Sequence, residues 1–176
     1  EALAKKNIKR WKKIIKQASE QNIYNDIQMK EWKHEETINE FYEDLGYVKL
    51  NSGQIEKIKE KNKELIKTSK QVLTQISFIL SNTSHLIILS DKKGWVLDLL
   101  GWGKNFWSEF PELEVGVNLS EQYTEENCIG SAIIEKKPIL MYNIMDKKID
   151  YFSLSAFGIP IIDKEGNVFG VIGIVL

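Results

Sequence analysis

The chain holds one cysteine, Cys128, in 176 residues. No intramolecular disulfide can form, and such sparse usage suits a reducing cytoplasm. Histidine is almost as scarce. His34 and His85 stand far apart, and with one cysteine they make no metal-ligand spacing. No apolar run approaches the ~20 residues that span a bilayer. The N-terminus is lysine-rich and amphipathic and has no small-residue cleavage site, so it does not read as a signal peptide. There is no initiator Met, and a longer parent chain is expected. A Walker phosphate loop and a DNA-reading helix are both missing. No cluster of side chains has the look of an active site, and Cys128 has no histidine beside it in sequence. The reading is not an enzyme, with no metal and no cofactor.

What is present is an ordinary globular composition, 43% hydrophobic and 28% charged. The net charge of −1 conceals a gradient. Residues 1–20 carry seven Lys/Arg against two Glu, and residues 81–176 carry eight Lys/Arg against thirteen Asp/Glu. The acidic half argues against nucleic-acid binding there. The basic end reads as the solvated face of a helix.

Leu3, Ile8, Trp11, Ile14, Ile15 and Ala18 recur in steps that make one apolar stripe over residues 2–21. Residues 22–33 have weak periodicity and read as a connection. Ile38, Phe41, Tyr42 and Leu45 share a face of a second helix at 34–45, stopped by Gly46. A long helix is expected from Ser52, a candidate N-cap, to about Leu80. In it Ile55, Ile58, Asn62, Leu65, Ser69, Val72, Ile76 and Ile79 alternate steps of three and four, the seam of a coiled coil. Asn62 on that seam would fix register. The dimerisation residues are therefore Ile55, Ile58, Asn62, Leu65, Val72 and Ile76. The competing reading has this helix cover only its own domain.

Beyond Ser84, two short apolar runs flank Asp91-Lys-Lys-Gly94, and two more flank Asp163-Lys-Glu-Gly166. Each turn has an Asp to cap backbone N–H groups and a Gly for positive φ, so each pair reads as a hairpin. Between them, Thr124 to Lys136 reads as a helix with Thr124 as N-cap, and Pro138 leads into a strand at 139–142. The result is α+β: an antiparallel sheet flanked by helices, with an N-terminal helical segment. The expected division is 1–50 for the N-terminal helices, 51–82 for the long helix and 83–176 for the sheet domain. Trp102, Phe106 and Trp107 crowd a glycine-containing segment, where they either plug a core or line a cavity.

Ser120 and Glu121, then Asn127-Cys-Ile-Gly-Ser-Ala132, then Lys137-Pro138, Pro160-Ile161 with Asp163 and Gly166, and Gly170-Val171 carry a resemblance. Over about residues 65–176 the chain resembles the GAF sensor domain at the front of sigma-54-dependent transcription activators, the regulators of acetoin or glycerol catabolism. Leu119 stands where that family has an aromatic, Glu125 and Glu126 where it has Gly-Thr, and Cys128 where it has a small residue. The cyclic-nucleotide signature of other GAF domains is not found. The resemblance implies a cavity between sheet and helices around 101–152. It also implies a small organic ligand, a cytoplasmic homodimer, and downstream ATPase and DNA-binding domains in the parent chain. Candidate pocket residues are Trp102, Phe106, Trp107, Tyr123, Asn127, Cys128, Tyr142, Ser155 and Phe157. Each has a packing role as its alternative, and for Asn127 the alternative is a helix cap. Cys128 as a redox switch and His85 as a haem ligand are minor readings. The runner-up function is a ligand-free dimerisation scaffold.

Overall fold

The computed structural model describes residues 13, 28–31, 48–102, 112–145 and 153–176. The amphipathic stretches at 2–21 and 34–45 lie outside these, apart from Lys13, which is helical and exposed. The described elements are β1 (Gln28–Glu31), α1 (Ser52–Lys61), α2 (Lys63–Ile79), β2 (His85–Asp91), β3 (Val96–Trp102), α3 (Cys128–Glu135), β4 (Ile139–Met145), β5 (Ser153–Ile162) and β6 (Val168–Val175). The six strands form one sheet in the order β1-β4-β5-β6-β2-β3. Neighbours pair antiparallel throughout, except that β1 runs parallel to β4. The fold is α+β.

Alternation along the strands sorts the apolar side chains onto two faces. On one face Leu86, Ile88, Ile139, Met141, Ala156, Val171 and Val175 pack with Cys128, Ile129 and Ala132 of α3. On the other, Ile87, Leu89, Leu97 and Ile172 pack around Leu73 of α2, joined by Ile58, Leu65, Ile66 and Ile76. β2 is buried along its whole length because it is covered on both faces. That explains its continuous apolar run rather than an alternating one.

Both hairpin turns form as their residues require. Asp91 Oδ1 accepts from the N–H groups of Lys93 and Trp95, and Gly94 has φ +85°. Asp163 Oδ1 accepts from Glu165 and Asn167, and Gly166 has φ +82°. The two carboxyls differ in environment. Burial pushes the Asp91 pKa up, whereas bonds from Asn167 pull that of Asp163 down.

Four local expectations are corrected. The N-cap of the long helical run is Asn51, not Ser52. Asn51 and Gln54 exchange side-chain-to-backbone bonds at 3.0 and 2.9 Å, a capping box shifted by one residue. The run is interrupted at Asn62, whose amide donates to Ile58 O at 2.9 Å. The main-chain ladder passes through the interruption, with Asn62 N to Ile58 O and Ile66 N to Asn62 O both 3.0 Å. The helix expected from Thr124 begins at Cys128, with Asn127 as its cap. Within the connection expected at 22–33, residues 28–31 are strand β1. Their sequence, QMKE, has no strand periodicity, and the edge of β4 supplies the pairing.

Candidate functional site

The N-terminus of α3 is organised by one side chain. Asn127 Oδ1 accepts from Ile129 N and Gly130 N, both at 3.0 Å. Its amide donates to Leu119 O, Thr124 Oγ1 and Glu125 O. Thr124 in turn donates to Ser120 O at 3.1 Å. Asn127 thus satisfies the helix end and ties the preceding loop to itself. Replacing it with Ala is expected to lower stability by about 2 kcal/mol, the upper range for a lost cap, since the loop carbonyls lose donors as well. Urea unfolding measures this. An unchanged midpoint would show that the cap carries little of the loop's order.

Cys128, next in line, is 5% exposed, and burial pushes its thiol pKa up to about 12. Such a thiol is protonated at neutral pH and is a poor nucleophile. The folded chain at pH 8 is therefore expected to resist Ellman's reagent for minutes and to react at once in denaturant. Rapid labelling of the native protein would restore the redox reading.

α3 lies unusually close to the sheet. A Cβ built on Gly158 of β5 would fall 1.9 Å from Cys128 O, and one on Gly173 of β6 would fall 3.0 Å from Ile129 Cδ1. No ligand-sized space exists between the first turn of α3 and β5.

The nine candidate pocket residues do not converge. Asn127 and Cys128 belong to the α3 side. Tyr142 pairs with Ser155, and Phe157 with Leu140. Since Met141 and Ala156 face α3, alternation turns Tyr142, Ser155 and Phe157 to the opposite face. Ser155 is buried and exchanges main-chain bonds with Leu176 at 3.1 and 2.9 Å. Tyr123 is 43% exposed. Trp102 closes β3 opposite His85. Phe106 and Trp107 lie outside the described residues.

The proposed dimer seam is partly occupied by the chain itself. Ile58, Leu65 and Ile76 pack toward the chain's own sheet, and Ile55 sits against Gly116. Val72, Phe78 and Ile79 are exposed.

His85 is fully buried, with Nδ1 2.8 Å from Thr83 O and Nε2 2.9 Å from Ser77 Oγ. A carbonyl only accepts, so Nδ1 carries a proton, and Nε2 is paired with the Ser77 hydroxyl. Both nitrogens are engaged, which leaves none to ligate a haem iron. Among the described residues no group of three or more His, Cys, Asp or Glu could hold a metal ion. Also among them, no helix is long and apolar enough to cross a membrane.

Sequence reasoning missed two features. Ser90 Oγ is buried without a hydrogen-bond partner, and its place two residues after Ile88 puts it on the α3 face. Nothing in an apolar run ending in Ser signals this. Lys30 Nζ donates to Glu126 at 2.7 Å and lies 3.4 Å from Ser131 Oγ and 3.8 Å from Glu135. Ser131 donates to Glu121 at 2.7 Å. Without knowing that β1 is a strand beside α3, this cluster could not be read.

No family model matches the sequence, and no curated protein matches it. Among solved structures, a chain of the crystal structure of the E. coli DhaR(N)-DhaL complex superposes with a TM-score of 0.64 at 12% identity. The match covers 74% of this chain and 45% of that one, so the chain spans less than half of its neighbour. At that identity the likeness shows a shared fold.

Proposed function

We propose that the chain is a regulatory sensing module of GAF type, belonging to a transcription activator of the sigma-54-dependent kind. In this reading a small organic molecule binds on the α3 side of the sheet. The bound state favours one arrangement of a dimer, and the helices leading into the sheet report it. Coupling of that kind requires the ligand to bind one arrangement better than the other. The observation that carries the reading is the fold shared with a chain of the DhaR(N)-DhaL complex, alongside the motif resemblance over 65–176. The orphaned hydroxyl of Ser90 supports the choice of face, because a buried polar atom without a partner is what a ligand's polar group would satisfy.

A second reading is a ligand-free scaffold that docks another protein. It is favoured by the close approach of α3 to β5 and by the neighbour's own complex with DhaL.

Native mass spectrometry followed by a thermal-shift screen of small organic metabolites separates the two. A co-purifying mass, or a concentration-dependent rise in melting temperature, supports sensing. A clean protein with no hit supports the scaffold. Ser90→Ala refines the test. Removing an unpartnered buried hydroxyl is expected to raise ligand-free stability by about 1 kcal/mol. If Ser90 holds the ligand, the same change abolishes the ligand-induced shift.

A further inference from the structure

α3 packs on one face of the sheet, and α1 and α2 pack on the other. Both meet a short strap in the loop before α3, residues 116–121. The strap lies between two other pieces of chain. On one side Gly116 N donates to Val96 O, Val96 N to Val117 O and Leu119 N to Gly94 O, at 2.9, 2.8 and 2.8 Å. On the other, Asn118 N donates to Val48 O and Leu50 N to Gly116 O, both at 2.9 Å. Leu50 is followed at once by Asn51, the cap of α1. Ile55 of α1 lies against Gly116, where a Cβ would fall 2.8 Å from its side chain.

The far end of the strap meets α3. Asn127, the cap of that helix, donates to Leu119 O at 2.9 Å. Ser131 donates to Glu121 at 2.7 Å. A Cβ on Gly130 would fall 2.7 Å from Glu121 Cγ and 3.1 Å from Leu119 O. Asn118, inside the strap, is 1% exposed. Its Oδ1 accepts from Ser120 N at 2.8 Å, and its amide donates to Lys93 O at 3.2 Å. The caps of two helices on opposite faces are thus tied to the two ends of one strap. Packing this close leaves no slack, and it transmits strain rather than absorbing it.

We propose that residues 116–121 couple the start of α3 to the start of α1, so that a change at one helix N-terminus is felt at the other across the sheet. Seated, the strap holds both caps. Released from Asn127, it loosens its grip on Val48 and Leu50, and the first turn of α1 frays. Linkage makes the effect reciprocal, with the same factor in each direction. The use of this coupling, though not its existence, rests on the sensing reading. There it carries the effect of a ligand on the α3 side of the sheet to the helices on the other.

Asn127→Asp isolates the link. Aspartate caps a helix about as well as asparagine, so the bonds from Ile129 and Gly130 stay. A carboxylate cannot donate to Leu119 O. Amide hydrogen exchange, read residue by residue by NMR on the 15N-labelled chain, reports local opening. The variant is expected to speed exchange at Leu50 and Gln54, at the start of α1, by about tenfold relative to the amides of β5 and β6. In the reverse direction, Asn51→Ala is expected to speed exchange at Ile129 and Gly130 by a similar factor on the same scale. Unchanged exchange at Leu50 and Gln54 in Asn127→Asp would overturn the proposal. So would a rise of equal size at every amide, which is global unfolding without coupling of the two ends. No ligand enters the experiment, so the coupling and the sensing reading stand or fall separately.

Discussion

Gly158→Ala is expected to destabilise the fold by about 3 kcal/mol, the upper part of the range for overpacking. The added methyl would fall 1.9 Å from Cys128 O and 2.6 Å from Cys128 C, which are main-chain atoms. A side chain can rotate away from such a contact, but the first turn of a helix cannot. α3 would have to lift, and with it Cys128, Ile129 and Ala132 would leave the cluster they fill beneath it. Asn127 fixes the same turn from the other side, so the lift also strains the cap. Urea midpoints at constant slope report the change. A loss under about 1 kcal/mol would mean that α3 shifts at little cost.

Leu73→Ala is expected to cost a similar amount, about 3 kcal/mol for a buried leucine that leaves a cavity. Leu73 is 1% exposed and joins α2 to Ile87, Leu89, Leu97 and Ile172 across two strands and the last hairpin. Val72, its neighbour on the same helix, is 45% exposed. Val72→Ala should therefore leave the stability of an isolated chain within about 0.5 kcal/mol of the original. The pair of substitutions separates two roles of one helix. If α2 serves only its own sheet, Leu73 matters and Val72 does not, at any protein concentration. If α2 also pairs with a second copy, Val72→Ala lowers the midpoint more at high concentration than at low.

The sheet domain was legible wherever local chemistry decided the outcome. Asp91 with Gly94, and Asp163 with Gly166, specify their turns through bonds made within four residues. The period of the 52–80 stretch marked it as helical. The same period could not say what the helix faces. Ile58, Leu65 and Ile76 meet the chain's own strands, yet a sheet and a partner helix ask for the same apolar stripe. The cap errors were small. Asn51 outcompeted Ser52 through a capping box with Gln54, a pattern within four residues, and Asn127, whose alternative role was a helix cap, outcompeted Thr124 by accepting from two N–H groups of the first turn while its amide holds the loop before it. β1 was not legible, since its four residues become a strand only beside β4. The candidate pocket failed to gather because strand register, which assigns Tyr142, Ser155 and Phe157 to one face and Cys128 to the other, depends on pairings far apart in the chain.

The position of β6 has a consequence for synthesis. Last in sequence among the described strands, it lies in the interior of the sheet between β5 and β2, pairing Leu86 with Val175 and Asp91 with Gly170. The β2–β3 hairpin leaves the ribosome well before its neighbour exists. The interval between Asp91 and Val168 is about 80 residues, or about 4–16 s at ordinary elongation rates. Throughout it the inner edge of β2, apolar from Leu86 to Leu89, stands unpaired. Newly made chains are thus most open to wrong partners, and to a chaperone that holds unpaired strands, during the seconds before the final eight residues of β6 arrive.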